Sequence, residues 1–211
     1  MVLDTTRHRM DPLLNALAKP FRSIPPDLLT AIALLFAITA GILFYLAQPA
    51  TEPTTFLLLF AAGCVTLNGL FDAIDGKVAA LSKRVTPRGD FLDHALDRYA
   101  DVFIIGGLAL SPWCRPSIGL LAVIGVLLTS YMGTQAQAVG CKRNYSGLLG
   151  RADRIALLII FPILQHFYLN SLTVLPYQLT ILEVAMIIFA VVGNITAVQR
   201  FIGTLRWFSH Q

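Results

Sequence analysis

The sequence predicts an all-α integral membrane protein of six transmembrane helices preceded by a short amphipathic interfacial helix, and three observations carry that expectation. First, 56% of the 211 residues are hydrophobic and only 13% are charged, against roughly 25% charged residues in an ordinary soluble domain. Second, apolar stretches of about 20 residues, the length that crosses a bilayer, recur six times. Third, fifteen of the sixteen Lys and Arg residues fall before the first stretch, after the last, or around alternate connections between them. A missed helix would scramble that third pattern. Residues 1–211 read as a single membrane domain, with 1–25 as an interfacial segment, 26–203 as a six-helix bundle and 204–211 as a tail.

The segment Asp11 to Phe21 comes first, with Leu13, Leu14, Leu17 and Phe21 at helical spacing and Lys19 and Arg22 beside them. Such a stretch lies on a membrane surface. The six spans run from about Pro26 to Ala47, Thr55 to Leu81, Gly89 to Leu110, Ser117 to Val139, Leu148 to Leu169 and Tyr177 to Phe201. Breakers separate them: Gln48-Pro49, Thr86-Pro87-Arg88-Gly89, Ser111-Pro112, Pro116 and the stretch Gly140 to Gly147. The first span is longer than a leader's apolar core and no small-residue cleavage site follows it, so it is expected to remain as a helix. Only Arg115 lies on the face opposite the other cations. The positive-inside rule then places both termini and the basic connections in the cytoplasm, at the cytoplasmic membrane.

A net charge of +4 and a pI near 9.1 do not point to nucleic acid, because no Lys/Arg run with interleaved aromatics exists. Cys64, Cys114 and Cys141 sit far apart and form no CxxC pair, so no zinc site or disulfide framework is implied and they read as small buried hydrophobes.

Six of the twelve acidic residues lie between Asp72 and Asp101, on the cytoplasmic halves of the second and third spans. Each ionised group in a membrane helix costs about 2.5–3.5 kcal/mol on insertion scales, so a cluster needs partners or a purpose. Asp72 and Asp75 are three residues apart and Asp93 and Asp97 four, so each pair shares a helix face. The short connection Ser82 to Arg88 makes the two helices antiparallel neighbours, and the four carboxylates can converge at one depth. Carboxylates without His or Cys favour a hard divalent cation, Mg²⁺ or Mn²⁺. Gly76 and Gly89 leave space where a ligand or a facing backbone comes close. The plainer alternative is a set of interfacial salt bridges with Lys77, Lys83, Arg84, Arg88 and Arg98. His94 lies round the helix from Asp93 and Asp97 and is expected to face a neighbouring helix.

Written out, the segment is Asp72-x2-Asp75-Gly76-x2-Ala79-Ala80-x8-Gly89-x3-Asp93-x3-Asp97. It closely resembles the signature of the CDP-alcohol phosphatidyltransferase family, D-x2-D-G-x2-A-R-x8-G-x3-D-x3-D, departing only where Ala80 replaces an arginine. Pro26-Asp27-Leu28-Leu29-Thr30 is similar to the family's P-N-x-x-T element, with Asp27 for asparagine. The resemblance implies transfer of a phosphatidyl-type group from a CDP-linked lipid donor (CDP-diacylglycerol or CDP-archaeol) to a small polar alcohol acceptor, with release of CMP. It implies two divalent ions held by Asp72, Asp75 and Asp93, with Asp97 beside them as the general base. It implies a nucleotide site built from Thr30, Asn68, Asp72, Gly76, Ala79, Lys83 and Gly89, and assembly as a homodimer among membrane lipids. Lys77, Lys83 or Arg84 are the candidate substitutes for the missing arginine.

The stretch Ser130-Tyr131-Met132-Gly133-Thr134-Gln135-Ala136-Gln137-Ala138-Val139-Gly140, with Gly150-Arg151-Ala152-Asp153-Arg154 after it, resembles the inositol-phosphate-type synthases of that family. Those have S-Y-x-x-A-R-A-E-A-x-G and then E-R-x-E-R. On this pattern Lys142, Arg143, Arg151 and Arg154 are expected to bind a phosphorylated acceptor, inositol phosphate first and glycerol phosphate second. The bland alternative for these cations is topology, positive charge against headgroups. Two functions of other kinds compete: an intramembrane prenyltransferase acting on a diphosphate, since Phe71-Asp72-Ala73-Ile74-Asp75 is aspartate-rich, and a small divalent-cation carrier. One compact aspartate cluster argues against the first. A lack of polar groups in the outer halves of the spans argues against the second.

Overall fold

A computed structural model describes residues 7–49, 52–141, 147–168, 172–174 and 177–209. Helix α1 spans Arg7–Ala18 and passes through a short 3₁₀ turn, Lys19–Phe21, into α2, Pro26–Leu46. Helices α3, Glu52–Leu81, and α4, Pro87–Ala109, form a long antiparallel pair, followed by α5, Pro116–Ala138, and α6, Arg151–Phe167. A small ladder of β1, Leu172–Val174, and β2, Tyr177–Leu179, precedes α7, Ile181–Ile188. That helix continues through a π turn, Phe189–Gly193, into α8, Asn194–Phe208.

Among the described residues, four helices are long and apolar enough to cross a membrane: Pro26–Leu46, Thr55–Leu81, Pro116–Ala138 and the continuous rod Ile181–Phe208. The chain is thus a helical membrane protein, with boundaries close to those expected for the first, second and fourth spans. The third and fifth expected spans are helices too, but α4 carries four aspartates, Asp90, Asp93, Asp97 and Asp101, and α6 is 17 residues long. The start of the sixth is a correction. Tyr177, Gln178 and Leu179 pair with Val174, Thr173 and Leu172 in an antiparallel ladder. The helix begins only after Thr180, whose hydroxyl accepts from Glu183 N at 2.9 Å. An apolar run alone does not separate strand from helix, and Thr, Val and Tyr suit a strand.

Prolines open α2, α4 and α5 at positions where no amide partner is needed. Helix α4 is also capped by Thr86, which accepts from Gly89 N at 3.0 Å. Helix α2 packs against both α3 and α4, α3 against α6, and α5 against α4 and the α7–α8 rod. Phe44, Leu58, Val65, Ile105, Leu108, Trp113, Leu182 and Phe189 fill the centre. Glycine sets the spacing in two places. A Cβ on Gly107 would stand 2.6 Å from the backbone of Gly41, and one on Gly41 would strike the carbonyl of Phe103, so α2 and α4 meet backbone to backbone. Gly125 and Gly193 bring α5 against the π turn in the same way. The turn's altered pattern is satisfied across that contact, where Thr129 Oγ1 donates to the Gly193 carbonyl at 2.8 Å and Asn194 Nδ2 to that of Leu121 at 3.1 Å.

At 30 residues, α3 is about 45 Å long at 1.5 Å per residue, more than the roughly 30 Å hydrocarbon thickness. Its charged residues Asp72, Asp75 and Lys77 are gathered toward one end. There Lys77 Nζ bonds Asp11 at 2.6 Å and ties α1 across the end of the bundle, with Leu13 and Leu17 left exposed. The amphipathic helix is present where expected, starting four residues earlier, at Arg7.

Candidate active site

Four helices deliver the charged residues to one end of the bundle. Carboxylate oxygens of Asp72 on α3 and of Asp93 and Asp97 on α4 lie within 4.8 Å of one another. Their convergence follows from the i, i+4 spacing on α4 and the antiparallel turn that faces it to α3. Asp75, one turn beyond Asp72, is buried, and Thr30 Oγ1 on α2 donates to its Oδ2 at 2.6 Å. Asn68 is buried one turn before Asp72 and donates to the Ala33 carbonyl at 2.9 Å, pinning α3 to α2. Three carboxylates at this separation, with no nitrogen or sulfur donor among them, suit a hard divalent cation in size and chemistry.

Beside the cluster is a cleft of about 150 Å³, bounded by Thr30, Asp75, Gly76, Ala79, Gly89 and Asp93 among others. A Cβ at Gly76 would meet nothing within 4 Å, so this glycine widens the cleft and is not there for helix packing. Asn68 and Asp72 line a second, much smaller hollow together with Thr30 and Asp97. Of the residues expected to bind nucleotide, Thr30, Gly76, Ala79 and Gly89 therefore share one wall, and Asn68 and Asp72 back onto it. Lys83 does not join them. It is exposed, in the left-handed region at φ 56°, and the adjacent Arg84 lines the cleft instead. Lys77 is taken by Asp11.

The two arginines at the start of α6 part company. Arg151 enters the cluster, pairing with Asp72 Oδ1 at 3.0 Å and with Asp97 Oδ2. Arg154 is buried, with Nη1 3.0 Å from Asp101 Oδ2 and Nε 3.3 Å from the Gly150 carbonyl. Arg154, expected to bind the acceptor, has its guanidinium engaged in the wall of the site. The first turn of α6 is aimed from both sides. Asp153 Oδ2 accepts from Gly150 N at 2.9 Å, and Thr196 Oγ1 on α8 accepts from Leu149 N at 3.2 Å. Lys142 and Arg143 lie outside the described residues.

Several participants were not anticipated. Asp101 receives both Arg154 and, at 3.8 Å, Arg98 Nε; its place four residues after Asp97 was the available signal. Arg200 on α8 is buried and donates to the Thr129 carbonyl at 2.6 Å. Asp27 lines the cleft and pairs with Arg88 at 3.4 Å. His94 leans on Asp93, with Nδ1 to Oδ2 3.4 Å.

The model of the CDP-alcohol phosphatidyltransferase family matches residues 23–195. The chain belongs to that family. It is a membrane transferase of phospholipid biosynthesis, and the prenyltransferase and carrier alternatives fall away. Among its relatives are archaetidylinositol phosphate synthases. That of Pyrococcus horikoshii is 30% identical over 75% of this chain and 81% of its own length. That of Methanothermobacter thermautotrophicus is 28% identical over 93% and 88%. Crystal structures of the Mycobacterium tuberculosis phosphatidylinositol phosphate synthase share the transferase's fold. The form with CDP-DAG bound has a TM-score of 0.70 and 24% identity, over 92% of this chain and 94% of that one. The form in complex with manganese and citrate has a TM-score of 0.71 and 23% identity, over 91% and 88%.

Proposed function

We propose that this transferase moves a phosphatidyl-type group from a CDP-linked lipid, CDP-diacylglycerol or its ether-linked analogue CDP-archaeol, to a phosphorylated polyol, with inositol phosphate the first choice and glycerol phosphate the second. The observation that carries this is the junction of the Asp72–Asp93–Asp97 cluster with a cleft walled by Thr30, Gly76, Ala79 and Gly89. That is charge for a diphosphate beside room for a nucleoside. The kinship with archaeal archaetidylinositol phosphate synthases and the CDP-DAG of the mycobacterial structure support the same substrates.

Asp72, Asp75 and Asp93 would hold two divalent ions, Mg²⁺ or Mn²⁺, with Asp97 at their edge. Bound there, the ions neutralise the donor's diphosphate and polarise the phosphorus under attack. Asp97 takes the proton of the acceptor hydroxyl, whose oxygen forms a bond to the lipid-bearing phosphorus. The bond from that phosphorus to the bridging oxygen breaks, and CMP departs with the electron pair. Thr30 orients Asp75 through its 2.6 Å hydrogen bond. Arg151, already among the carboxylates, is the described cation we assign to the acceptor's phosphate, and the same role is proposed for Lys142 and Arg143 on the sequence pattern alone.

The same proposal includes six spans, with α4 and α6 joining the four apolar helices, and both termini and the site in the cytoplasm. At 23 and 17 residues, α4 and α6 are about 34 and 26 Å long, and modest thinning of the bilayer accommodates the shorter. The exposed apolar surface of the bundle suits lipid and a second copy, as a homodimer.

The test is CMP release by the purified protein in detergent from either CDP-lipid, with Mg²⁺, Mn²⁺ or EDTA, against inositol phosphate, glycerol phosphate, serine and inositol. Metal-dependent release with a phosphorylated polyol, abolished in Asp97→Asn, is the expected result. Release that ignores EDTA, or that survives in Asp97→Asn, refutes the mechanism; release with serine or inositol alone refutes the acceptor.

A further inference from the structure

We propose that Arg84 binds the donor's phosphates and so replaces the signature arginine that this chain lacks at Ala80; the proposal rests on the CDP-lipid assignment above. The cleft beside the cluster is lined by Asp27, Asp75, Asp90 and Asp93, and Arg84 is the one Lys or Arg among its described lining residues. A diphosphate entering so acidic a cleft meets repulsion at several points. A guanidinium there answers it with two parallel N–H donors aimed at phosphate oxygens.

Arg84 reaches the cleft because of how α3 ends. Lys83 takes a left-handed conformation at φ 56°. Its amide donates to the Ala80 carbonyl at 3.2 Å, and that of Arg84 donates to the Ala79 carbonyl at 2.9 Å. These two bonds together are the Schellman termination of a helix. The chain reverses at Lys83, which is left exposed, and Arg84 comes back over the last turn of α3 beside Ala79. Thr86 then caps α4, so the segment carrying Arg84 is held at both ends. An arginine at position 80 would approach from the helix itself. Here the same kind of charge arrives four residues later, from the turn. The neighbouring cations are engaged elsewhere: Lys77 with Asp11 and Arg88 with Asp27 at the rim.

The experiment is a calorimetric titration of the detergent-solubilised full chain with CDP in the presence of Mn²⁺. Three variants accompany the wild type: Arg84→Gln, Arg84→Lys and Lys83→Gly, the last chosen because glycine keeps the left-handed turn. Loss of one charge-assisted phosphate contact should weaken CDP binding roughly tenfold in Arg84→Gln, and less in Arg84→Lys. Lys83→Gly should bind as the wild type does, and all three should melt within a few degrees of it because both positions are exposed. Equal affinity in Arg84→Gln and wild type overturns the role of Arg84 and leaves the donor assignment standing. So does an equal loss in Lys83→Gly and Arg84→Gln. A wild-type protein that binds no CDP with metal present refutes the donor assignment itself, and the role of Arg84 with it.

Discussion

Gly107→Ala tests whether the backbone contact between α2 and α4 sets the geometry of the aspartate cluster. In the folded protein a Cβ at position 107 would lie 2.6 Å from both Cα and C of Gly41, and closer still to its carbonyl oxygen. Ordinary contact begins near 3.4 Å, so the helices must part by roughly 0.8 Å or more at this point. Backbone cannot rotate out of the way as a side chain can, and overpacking of this kind costs about 1–3 kcal/mol. Gly106, the preceding residue of the same helix, is the internal control, since a Cβ there meets nothing within 4 Å. Gly106→Ala should be neutral or stabilising by up to about 1 kcal/mol, the helix-propensity difference. Gly107→Ala should melt below Gly106→Ala by on the order of 5 °C. Activity should fall further than stability, because Asp97 and Asp93 ride on α4 while Thr30 rides on α2, and a displacement near 1 Å can cost about 10²-fold in rate. The assay is thermal melting in detergent beside CMP release at a temperature where every variant is folded. If Gly107→Ala and Gly106→Ala match in both readouts, the contact does not position the site.

Three further outcomes are expected. Arg154→Ala leaves the largely buried Asp101 carboxylate with only the longer contact to Arg98 and should cost about 3 kcal/mol; Arg154→Lys should recover part of the stability, whereas a raised acceptor KM with unchanged melting would place Arg154 at the acceptor site. Thr30→Val removes the donor to Asp75 and should raise the divalent concentration for half-maximal CMP release by roughly tenfold; an unchanged metal requirement would separate Asp75 from the ions. Burial, with Glu183 nearby, pushes the Cys114 thiol up to about 12, so it holds almost no thiolate at pH 8 and gains it only as the pH approaches that value. A variant with Cys114 as its only cysteine should therefore resist maleimide in the folded state at pH 8 and react once unfolded; rapid labelling of the folded protein would contradict that environment.

What the sequence made legible is what covalent spacing alone determines. Asp72, Asp93 and Asp97 converge because three- and four-residue intervals fix a helix face and a short turn fixes an antiparallel neighbour. Neither inference needs knowledge of the rest of the chain. Arg151 and Arg154 could not be told apart on those grounds, since both sit in the first turn of one helix. Which of them faces the cluster depends on the roll of α6, set by Asp153 bonding back to Gly150 and by Thr196 holding Leu149 from α8. The choice between Lys83 and Arg84 rested likewise on a single positive φ. The ladder at Leu172–Val174 and Tyr177–Leu179 escaped because its apolar residues extend the hydropathy of the helix that follows.

The two ends of the bundle handle buried charge in opposite ways, and the contrast locates the chemistry. At the end bearing Arg115 the balance is closed. Glu183 accepts from Arg115 Nε at 2.7 Å and from its backbone N at 3.0 Å, and Gln165 takes the first amides of α7. One acid meets one base, and the helix ends are satisfied. At the other end Asp72, Asp75, Asp93, Asp97 and Asp101 converge with Arg98, Arg151 and Arg154, and the carboxylates outnumber the guanidiniums. Arg154 and Asp101 close one pair deep in the wall, while Arg151 is divided between Asp72 and Asp97 and cannot fully neutralise either. A stable scaffold has no need of such an excess, since isosteric apolar residues would serve it as well or better. The surplus negative charge is intelligible as a receptor for cations that arrive with the reaction. It also predicts that divalent ions should raise the melting temperature of the wild-type protein and should raise that of Asp72→Asn or Asp93→Asn much less.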